Sequence, residues 1–386
     1  MTVSLECFLD ELREWVAIET PSAAHAAVTA LGDRVAQSCG AAGLSVERVP
    51  GTDGSCDTIL ARGGPNTGER GLLVLAHLDT VHPIGTLQTS LPWRRDGDRL
   101  YGPGIYDMKA SALMAIEAWK QLRQHGRSPV SPVTFLFAPD EEIGSPSSRP
   151  VIENEARKAF ATFVVEPARD GGKIVIGRKG VARFVVTAHG VPAHSGGNFE
   201  QGRSAISEIA RQIAFLEEMT DVADGVTVNV GTIRGGTTPN TVPATCTIEV
   251  DVRMLRMDQA TRLVDAIRSM RPFGRDIRLT ITGELNRPPF FPDDRAHRLF
   301  EHARFVAAGC NIDLVGVHAG AASDGNFTAA LGVPTLDGLG VDGAGAHTLD
   351  EHILVSTVLP RTGLFAELLA TTTESATRTN AARTTH

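Results

Sequence analysis

The sequence predicts an α/β protein in which a mainly parallel sheet forms one domain and a compact α+β domain interrupts it. Three observations support this prediction. The chain has 386 residues, which exceeds the usual length of a single domain. Its first part alternates short apolar runs with a helical pattern. Its middle part, from about Arg178 to Arg287, changes to strands of alternating polarity.

Three apolar runs in the first part predict strands that are buried on both faces, namely GLLVLA (71–76), VTFLFA (133–138) and TFVV (162–165). The stretch between the first two runs has the periodicity of a helix, with apolar residues at Leu113, Ile116, Trp119 and Leu122. Gly126 ends this helical segment. Strand, helix and strand in this order predict a parallel α/β unit.

The middle part contains four predicted strands, RFVVTAHG, VTVNVGTI, TCTIEVDVR and IRLTITG. One amphipathic helix around Ile206–Leu216 follows the first strand, and a second around Asp258–Met270 precedes the last. The order βαββαβ is the ferredoxin-like arrangement. We therefore expect a discontinuous domain made of residues 1–177 and 288–386, with an inserted domain at 178–287. The segment VPTLDGLGV (333–341) could return to the first sheet.

The composition is that of an ordinary globular protein, with 42% hydrophobic and 21% charged residues. A net charge of −8, without a stretch rich in Lys or Arg, argues against nucleic-acid and membrane partners. Five scattered cysteines without CxxC spacing indicate reduced thiols in a cytoplasmic protein. The small polar residues from 371 onward predict a loose tail.

Residues able to bind a metal follow each predicted parallel strand. His77 and Asp79 follow the first run, Glu166 follows the third, and the second is followed by Asp140, Glu141 and Glu142. The carboxyl ends of parallel strands meet at one edge of a sheet, so we expect these side chains to converge. Asp107 precedes the next helix, where it either caps that helix or projects into the same crevice. His347 lies in the glycine-rich loop GAGAHTLDE, which could lie beside them.

Imidazole and carboxylate ligands without cysteine suit zinc, with cobalt or manganese as substitutes. Two zinc ions about 3.5 Å apart need a bridging carboxylate and roughly two terminal ligands each. That number is supplied by His77, Asp107, Glu142, Glu166 and His347. Asp79 is well placed to accept the other ring N–H of His77 and fix its orientation.

Either Glu141 or Glu142 is then left as a general base, because neighbours on an extended segment point in opposite directions. Their spacing does not settle which one. Each feature alone has a plainer explanation as polar surface, a solvated loop or a helix cap. Their joint position at strand ends favours the metal site. Six histidines without such context, His82 among them, are interpreted as structural or surface residues.

Nine motifs resemble, in order, those of one zinc peptidase family. They are LAHLDTV (75–81), GPGIYDMKA (102–110), FAPDEEIGS (137–145), VVEP (164–167), GVPAHSG (190–196), TPNTVP (238–243), DVR (251–253), SDG (323–325) and GAHTLDE (345–351). The family includes bacterial glutamate carboxypeptidases, acetylornithine deacetylase, succinyl-diaminopimelate desuccinylase and aminoacylases. The resemblance extends from IETPS (18–22) to the start of the tail.

The resemblance implies two zinc ions per subunit, one held by His77 and Glu166 and one by Glu142 and His347. Asp107 would bridge the two ions, and Glu141 would be the general base. The inserted domain would be a lid that also forms a homodimer. His194 would then polarise the scissile carbonyl in the neighbouring subunit. Asn240 and Arg253 resemble the residues with which the family contacts the substrate carboxylate. Without the resemblance, Arg253 would be interpreted as an exposed charge at the end of a strand.

The resemblance is nearest to the glutamate carboxypeptidase branch, judged from NRPPF (286–290) and the GAHTLDE loop. Carboxypeptidases and deacylases of the family tend to have Glu where this chain has Glu166, whereas its aminopeptidases and dipeptidases tend to have Asp. We expect release of a glutamate-like C-terminal amino acid from an acyl or peptidyl group of a small substrate. The alternatives are an N-acyl amino acid deacylase, a dipeptidase, and a silent metal- or ligand-binding protein, which the intact Glu141 disfavours.

Overall fold

A computed structural model describes residues 4–378 of the chain, which divides into two compact units. The first unit takes in the chain up to Gly177, together with Pro292–Ala319 and the residues from Ser323 onward. The second unit is Arg178–Phe291 with Gly320–Ala322. The inserted domain was predicted to cover residues 178–287. The second unit extends four residues further and also includes the short segment Gly320–Ala322.

The chain up to the second unit alternates helices and strands. In order these elements are α1 (Leu5–Ala17), α2 (His25–Ala41), β1 (Ser45–Val49), β2 (Thr58–Gly63), β3 (Gly71–His77), α3 (Thr86–Thr89), β4 (Arg94–Asp96), β5 (Arg99–Tyr101), α4 (Ala110–Gln124), β6 (Val133–Ala138), α5 (Arg149–Lys158), β7 (Ala159–Val164) and β8 (Ile174–Arg178). A π-helical turn, Ile105–Lys109, precedes α4, and a 3-10 turn, Glu141–Ile143, follows β6.

The second unit follows the predicted order βαββαβ. Its elements are β9 (Gly180–His189), α6 (Ala205–Glu217), β10 (Thr227–Gly235), β11 (Thr245–Met254), α7 (Met257–Arg268) and β12 (Arg278–Arg287). The four strands form an antiparallel sheet in the order β10-β11-β9-β12. One face of that sheet packs with α6 and α7 around a separate apolar core. The predicted ferredoxin-like arrangement is confirmed.

The chain then completes the first unit. Its remaining elements are α8 (Asp294–Gly309), β13 (Gly316–Ala319), α9 (Gly325–Ala330), β14 (Thr335–Leu336), β15 (Gly343–Ala344), β16 (His352–Leu354) and α10 (Val355–Thr371). Each helix within residues 4–378 lacks either the length or the apolar character that crossing a bilayer requires.

The main sheet of the first unit has the strand order β1-β2-β6-β3-β7-β14. β3 is parallel to both β6 and β7, and β14 is parallel to β7. Only β2 is reversed, because it pairs antiparallel with both β1 and β6. The three predicted apolar runs therefore form the centre of a mainly parallel sheet, as expected. The chain leaves β3 for β6 on one side and later returns to β7 on the other, which opens a crevice at their carboxyl ends.

The predicted helix between β3 and β6 is α4, whose apolar positions are all buried. Its end has the hydrogen bonds of a Schellman motif. The N–H of Gly126 bonds the carbonyl of Arg123 at 3.0 Å, and the N–H of Arg127 bonds that of Leu122 at 2.9 Å. Gly126 has φ of 66°, a left-handed conformation that glycine adopts without steric cost.

The prediction of a loose tail is wrong for the residues up to Arg378. Thr371 is the last residue of α10, and a 3-10 turn follows at Glu374–Thr377. Thr372 is buried, and its carbonyl accepts a hydrogen bond from Ser131 Oγ at 3.2 Å. Its hydroxyl lies 3.2 Å from His302 Nε2. Partners far away in the sequence thus order a polar segment. The rest of the predicted tail, 379–386, lies outside the described residues.

Candidate metal centre

β3 ends at His77, which is buried beneath the carboxyl edge of the sheet. Its Nδ1 lies 2.9 Å from the main-chain carbonyl oxygen of Asp79 and 3.5 Å from the Asp79 carboxylate. The nearer acceptor of the ring N–H is therefore the carbonyl rather than the expected carboxylate. Donation from Nδ1 leaves a lone pair on Nε2 in the neutral ring, which is the form that binds metals.

Nε2 of His77 lies 3.2 Å from Asp107 Oδ1 and 3.7 Å from Glu166 Oε1. Glu166 lies two residues after the end of β7 and is buried. The potential ligand atoms of His77, Asp107 and Glu166 all lie within 4.8 Å of one another. These three residues are called the inner cluster below.

Asp107 lies on the π-helical turn before α4, with φ of −114° and ψ of 91°. Its side chain does not cap α4, since the residue at the capping position is Lys109. Instead, one carboxylate oxygen faces His77, and Oδ2 lies 3.3 Å from Nε2 of His347. The sequence left Asp107 either as a helix cap or as a residue projecting into the crevice, and in the structure it projects into the crevice.

Asp107, Glu142 and His347 form a second group, called the outer cluster, whose ligand atoms also lie within 4.8 Å of one another. His347 Nε2 lies 3.2 Å from Glu142 Oε2. The other oxygen of Glu142, Oε1, is buried and makes no hydrogen bond with the described residues. A buried carboxylate oxygen without a partner is costly, and a bound cation would satisfy it. The cluster therefore fits a metal ion.

The carboxylate of Asp79 holds the turn that carries Glu141 and Glu142. Oδ1 accepts the N–H of Glu141 at 3.0 Å, and Oδ2 accepts that of Glu142 at 3.1 Å. Ser22 Oγ donates a third hydrogen bond at 2.6 Å. The assumption of an extended segment was wrong, because these residues form a 3-10 turn. Three residues per turn separate adjacent side chains by about 120°, so the two glutamates still point in different directions.

The clustered charges shift the proton affinities of the site. Burial alone lowers the pKa of His77, but hydrogen bonds to Asp107 and Asp79, together with nearby carboxylate charge, raise it well above the ordinary histidine value. Hydrogen bonds to Asp107 and Glu142 raise the pKa of His347 to about 10. In the absence of a metal, these raised pKa values favour the protonated forms of His77 and His347. A bound cation would displace those protons.

The carboxylates respond in opposite directions. Burial raises the pKa of Glu142, and the hydrogen bond from His347 offsets this only in part. Burial also disfavours ionised Asp107, yet the hydrogen bonds from His347 and His77 hold the pKa of Asp107 below its ordinary value. Asp107 is thus the fixed negative charge shared by both clusters.

His194 and Asn240 lie in the second unit on two adjacent exposed loops. Nδ1 of His194 accepts the N–H groups of Gly196 and Gly197, each at 3.1 Å. The neutral ring therefore carries its proton on Nε2. The main-chain carbonyl of Asn240 accepts the N–H of Ser195 at 3.0 Å, which joins the two loops.

Arg253 lies on β11 of the second unit and forms a two-pronged ion pair with Asp251. Nε lies 2.6 Å from Oδ1, and Nη2 lies 2.9 Å from Oδ2. The guanidinium is thus engaged by a neighbour on its own strand. All five predicted metal ligands belong to the first unit, whereas the three predicted substrate contacts belong to the second.

Two buried residues outside the predicted set lie behind the turn that carries Asp107. Glu351 accepts the N–H of Asp107 at 3.0 Å, and His82 contacts Glu351 at 2.7 Å. Glu351 follows His347 by four positions in the GAHTLDE motif, which was the only sequence signal for it. Two imidazoles and three carboxylates gathered near the carboxyl edge of a parallel sheet suit a metal-dependent hydrolase.

The chain belongs to the peptidase family M20/M25/M40, whose model matches residues 73–371. It is therefore a metallopeptidase, and the predicted family resemblance is confirmed. Carboxypeptidase G2 from Pseudomonas sp. (strain RS-16) is 29% identical over 93% of this chain and 87% of that protein.

Solved structures show the same fold at low identity. A tripeptidase from Staphylococcus aureus superposes with a TM-score of 0.77 at 18% identity, over 96% of this chain and 99% of that one. A metallo-carboxypeptidase from Sulfolobus solfataricus gives 0.71 at 18% identity, over 94% and 99% of the two chains. A protein from Bacillus subtilis, described as a dinuclear metal-binding peptidase, gives 0.68 at 18% identity, over 95% and 98%.

Proposed function

We propose that this metallopeptidase is a two-zinc carboxypeptidase that releases a glutamate-like C-terminal amino acid from an acyl or peptidyl group. The observation that carries the proposal is the position of Asp107, whose two oxygens face His77 in the inner cluster and His347 in the outer cluster. One carboxylate between two ligand sets is what a pair of metal ions requires. The similarity to a carboxypeptidase along almost the whole chain supports the direction of cleavage.

The inner ion would be held by His77 and Glu166, the outer ion by Glu142 and His347, and Asp107 would be common to both. Bound zinc, or cobalt or manganese in its place, would acidify a water molecule and polarise the scissile carbonyl. The buried and otherwise unpartnered Glu142 Oε1 supports the outer position.

Glu141 is the proposed general base. It lies beside Glu142 on the 3-10 turn, where Asp79 holds its main chain. Its carboxylate would take a proton from the attacking water and return it to the departing nitrogen. The same residue thus serves both halves of the reaction, and the amine leaves in its neutral form.

His194 is proposed to act on the neighbouring subunit of a homodimer. Because its Nδ1 is already an acceptor, Nε2–H is the donor that would polarise the substrate carbonyl. Asn240 and Arg253 are proposed to contact the substrate carboxylate. Arg253 would do so by sharing its guanidinium with Asp251.

A two-way substrate panel tests the proposed specificity. One series keeps a C-terminal glutamate and varies the acyl or peptidyl group, and the other keeps the acyl group and varies the amino acid. We expect kcat/KM, measured by mass spectrometry with zinc-loaded protein, to depend mainly on the amino acid. Dependence mainly on the acyl group would identify a deacylase instead. Cleavage of free dipeptides alone would contradict both assignments.

Glu141→Gln provides the control for that panel because it keeps the size of the side chain and removes the base. We expect turnover to fall by at least about 10²-fold, while two zinc ions per chain remain bound by elemental analysis. Loss of zinc in this variant would show that Glu141 is a ligand, and retained turnover would show that it is not the base.

Mixed dimers test whether His194 acts across subunits. Glu141→Ala and His194→Ala proteins, each inactive alone, are mixed under conditions that exchange subunits. If His194 serves the neighbouring site, each mixed dimer contains one complete site, and random mixing restores about a quarter of wild-type activity. If His194 serves its own subunit, every site stays defective and no activity returns.

A further inference from the structure

Glu351 is a buried carboxylate whose two oxygens are occupied by four donors. Oε1 accepts the N–H of Tyr106 at 2.9 Å and that of Asp107 at 3.0 Å. Oε2 accepts the N–H of Gly104 at 3.0 Å. His82 Nε2 lies 2.7 Å from the same oxygen, and because a carboxylate only accepts, this nitrogen donates. Four donors fill the accepting positions of an ionised carboxylate.

Three of these donors belong to one turn, the one that carries Asp107. The N–H of Asp107 points at Glu351, while its carboxylate oxygens face His77 and His347. The conformation of this turn therefore fixes the direction of the side chain shared by the inner and outer clusters. A carboxylate bound to successive main-chain amides is a strong constraint because these hydrogen bonds are charge-assisted.

Glu351 also belongs to the hairpin that carries His347. β15 and β16 pair antiparallel, with Gly343 opposite Ile353, and His347 lies on the connection between them. β16 in turn pairs with β5, with His352 opposite Tyr101, just before the turn held by Glu351. One residue thus joins the segment bearing His347 to the segment bearing Asp107.

We propose that Glu351, oriented by His82, is a positioning residue that sets the geometry of both metal positions through Asp107. This inference rests on the proposed two-metal site but not on the proposed substrate. Partners that orient metal ligands typically change metal affinity by 10–100-fold when removed. Because Asp107 is shared, loss of the Glu351 charge should weaken both binding steps rather than one.

The second unit offers a matched control in Glu208. This carboxylate is also buried, and it accepts the N–H groups of Phe273 and Gly274, each at 2.9 Å, and Gln212 Nε2 at 2.8 Å. It resembles Glu351 in burial and in bonding to main-chain amides, but it belongs to the unit that contains none of the five proposed ligands. Replacing it measures the effect of losing such a carboxylate on stability alone.

The experiment compares Glu351→Gln with Glu208→Gln in the full-length protein. Zinc affinity is measured by chelator competition, the ligand field by the visible spectrum of the cobalt-loaded protein, and stability by denaturant unfolding without metal. We expect both variants to lose stability. Only Glu351→Gln should weaken both metal-binding steps, by about 10–100-fold, and change the cobalt spectrum.

Wild-type affinity and an unchanged cobalt spectrum in Glu351→Gln would overturn the proposal and leave Glu351 a purely structural residue. If Glu351→Gln does not fold, His82→Ala and His82→Gln decide. His82→Ala should weaken both steps, and His82→Gln should restore affinity because its amide can donate to the carboxylate. Equal zinc affinities in His82→Ala and His82→Gln would also overturn the proposal that Glu351 is a positioning residue. A wild-type protein that binds two ions but cleaves no substrate in the panel would contradict only the proposed function.

Discussion

The inner and outer clusters share Asp107 and the same chemistry, yet they differ in how the chain builds them. The inner cluster takes His77 and Glu166 from the ends of adjacent parallel strands, and both side chains are at most 8% exposed. The outer cluster takes His347 from a hairpin connection, where its side chain is 53% exposed. Its φ of 64° places this residue in the left-handed region that non-glycine residues seldom occupy.

The comparison shows that two clusters with similar ligands can differ in how firmly the fold holds those ligands before a metal binds. The ends of β3 and β7 fix His77 and Glu166 before an ion binds, so these side chains lose little conformational freedom on metal binding. The outer set depends on a loop whose conformation is costly unless its surroundings enforce it. We therefore expect the inner position to bind zinc more tightly and to exchange it more slowly than the outer position.

The largest expected effect is on zinc affinity, when one histidine ligand is removed from either the inner or the outer metal position. His77→Ala should weaken the tighter zinc-binding step by more than about 100-fold, since losing a ligand should exceed the loss of a partner that orients one. His347→Ala should keep one tightly bound zinc and lose the second. Stepwise zinc titration against a chelator measures both, with His297→Ala on α8 as the exposed-histidine control. A weaker first step in His347→Ala would reverse the assignment.

A smaller effect concerns pH. The pKa of His347 is raised to about 10, so this ring is protonated in the metal-free protein at neutral pH, and the pKa of His77 is raised in the same direction. Zinc binds only neutral imidazole, so affinity should fall as the pH drops below about 10 in the outer step. One displaced proton corresponds to about tenfold in affinity per pH unit.

Calorimetry in buffers of different ionisation enthalpy measures this proton release directly. The expected result at pH 8 is a binding enthalpy that varies with the buffer in the outer step. A buffer-independent enthalpy in the outer step would show that His347 is already neutral there.

The smallest expected effect comes from Ser22→Ala, which removes the hydroxyl donor to Asp79. A hydrogen bond to a charged group contributes about 1.5–3 kcal/mol when buried, and Ser22 is only partly buried, so a loss of about 1 kcal/mol in the free energy of unfolding is expected. The inner zinc should bind as in the wild type. A fall in kcat larger than tenfold would show that Asp79 needs all three donors to hold the Glu141 turn.

Local patterns were sufficient to predict the framework of the site. The run VTFLFA became β6 with the predicted bounds, and the apolar periodicity of Leu113 to Leu122 became α4. Both signals arise from neighbours in the sequence. His77, Glu142 and Glu166 were found as candidates because a parallel sheet places the ends of its strands together.

Contacts between distant segments were not predictable in this way. The choice between a cap and a crevice residue at Asp107 depended on an irregular turn before α4. The carboxylate of Asp79 was assigned to His77, yet it bonds the amides of a turn that follows a different strand. The order of Thr372 depended on Ser131 and His302, which lie far from it in the chain. Such pairings exist only once the chain has folded.

The order of the ligands along the chain also has a consequence for biosynthesis. His77, Asp107 and Glu166 are all translated before the second unit, whereas His347 follows it. A nascent chain emerges N-terminal part first, so the inner set is complete early, whereas the outer set lacks His347 until the second unit has been synthesised. A stalled or clipped product that lacks the β15–β16 hairpin would carry one ion at most. In the proposed two-metal centre, occupancy of the outer position would therefore mark a chain synthesised through His347.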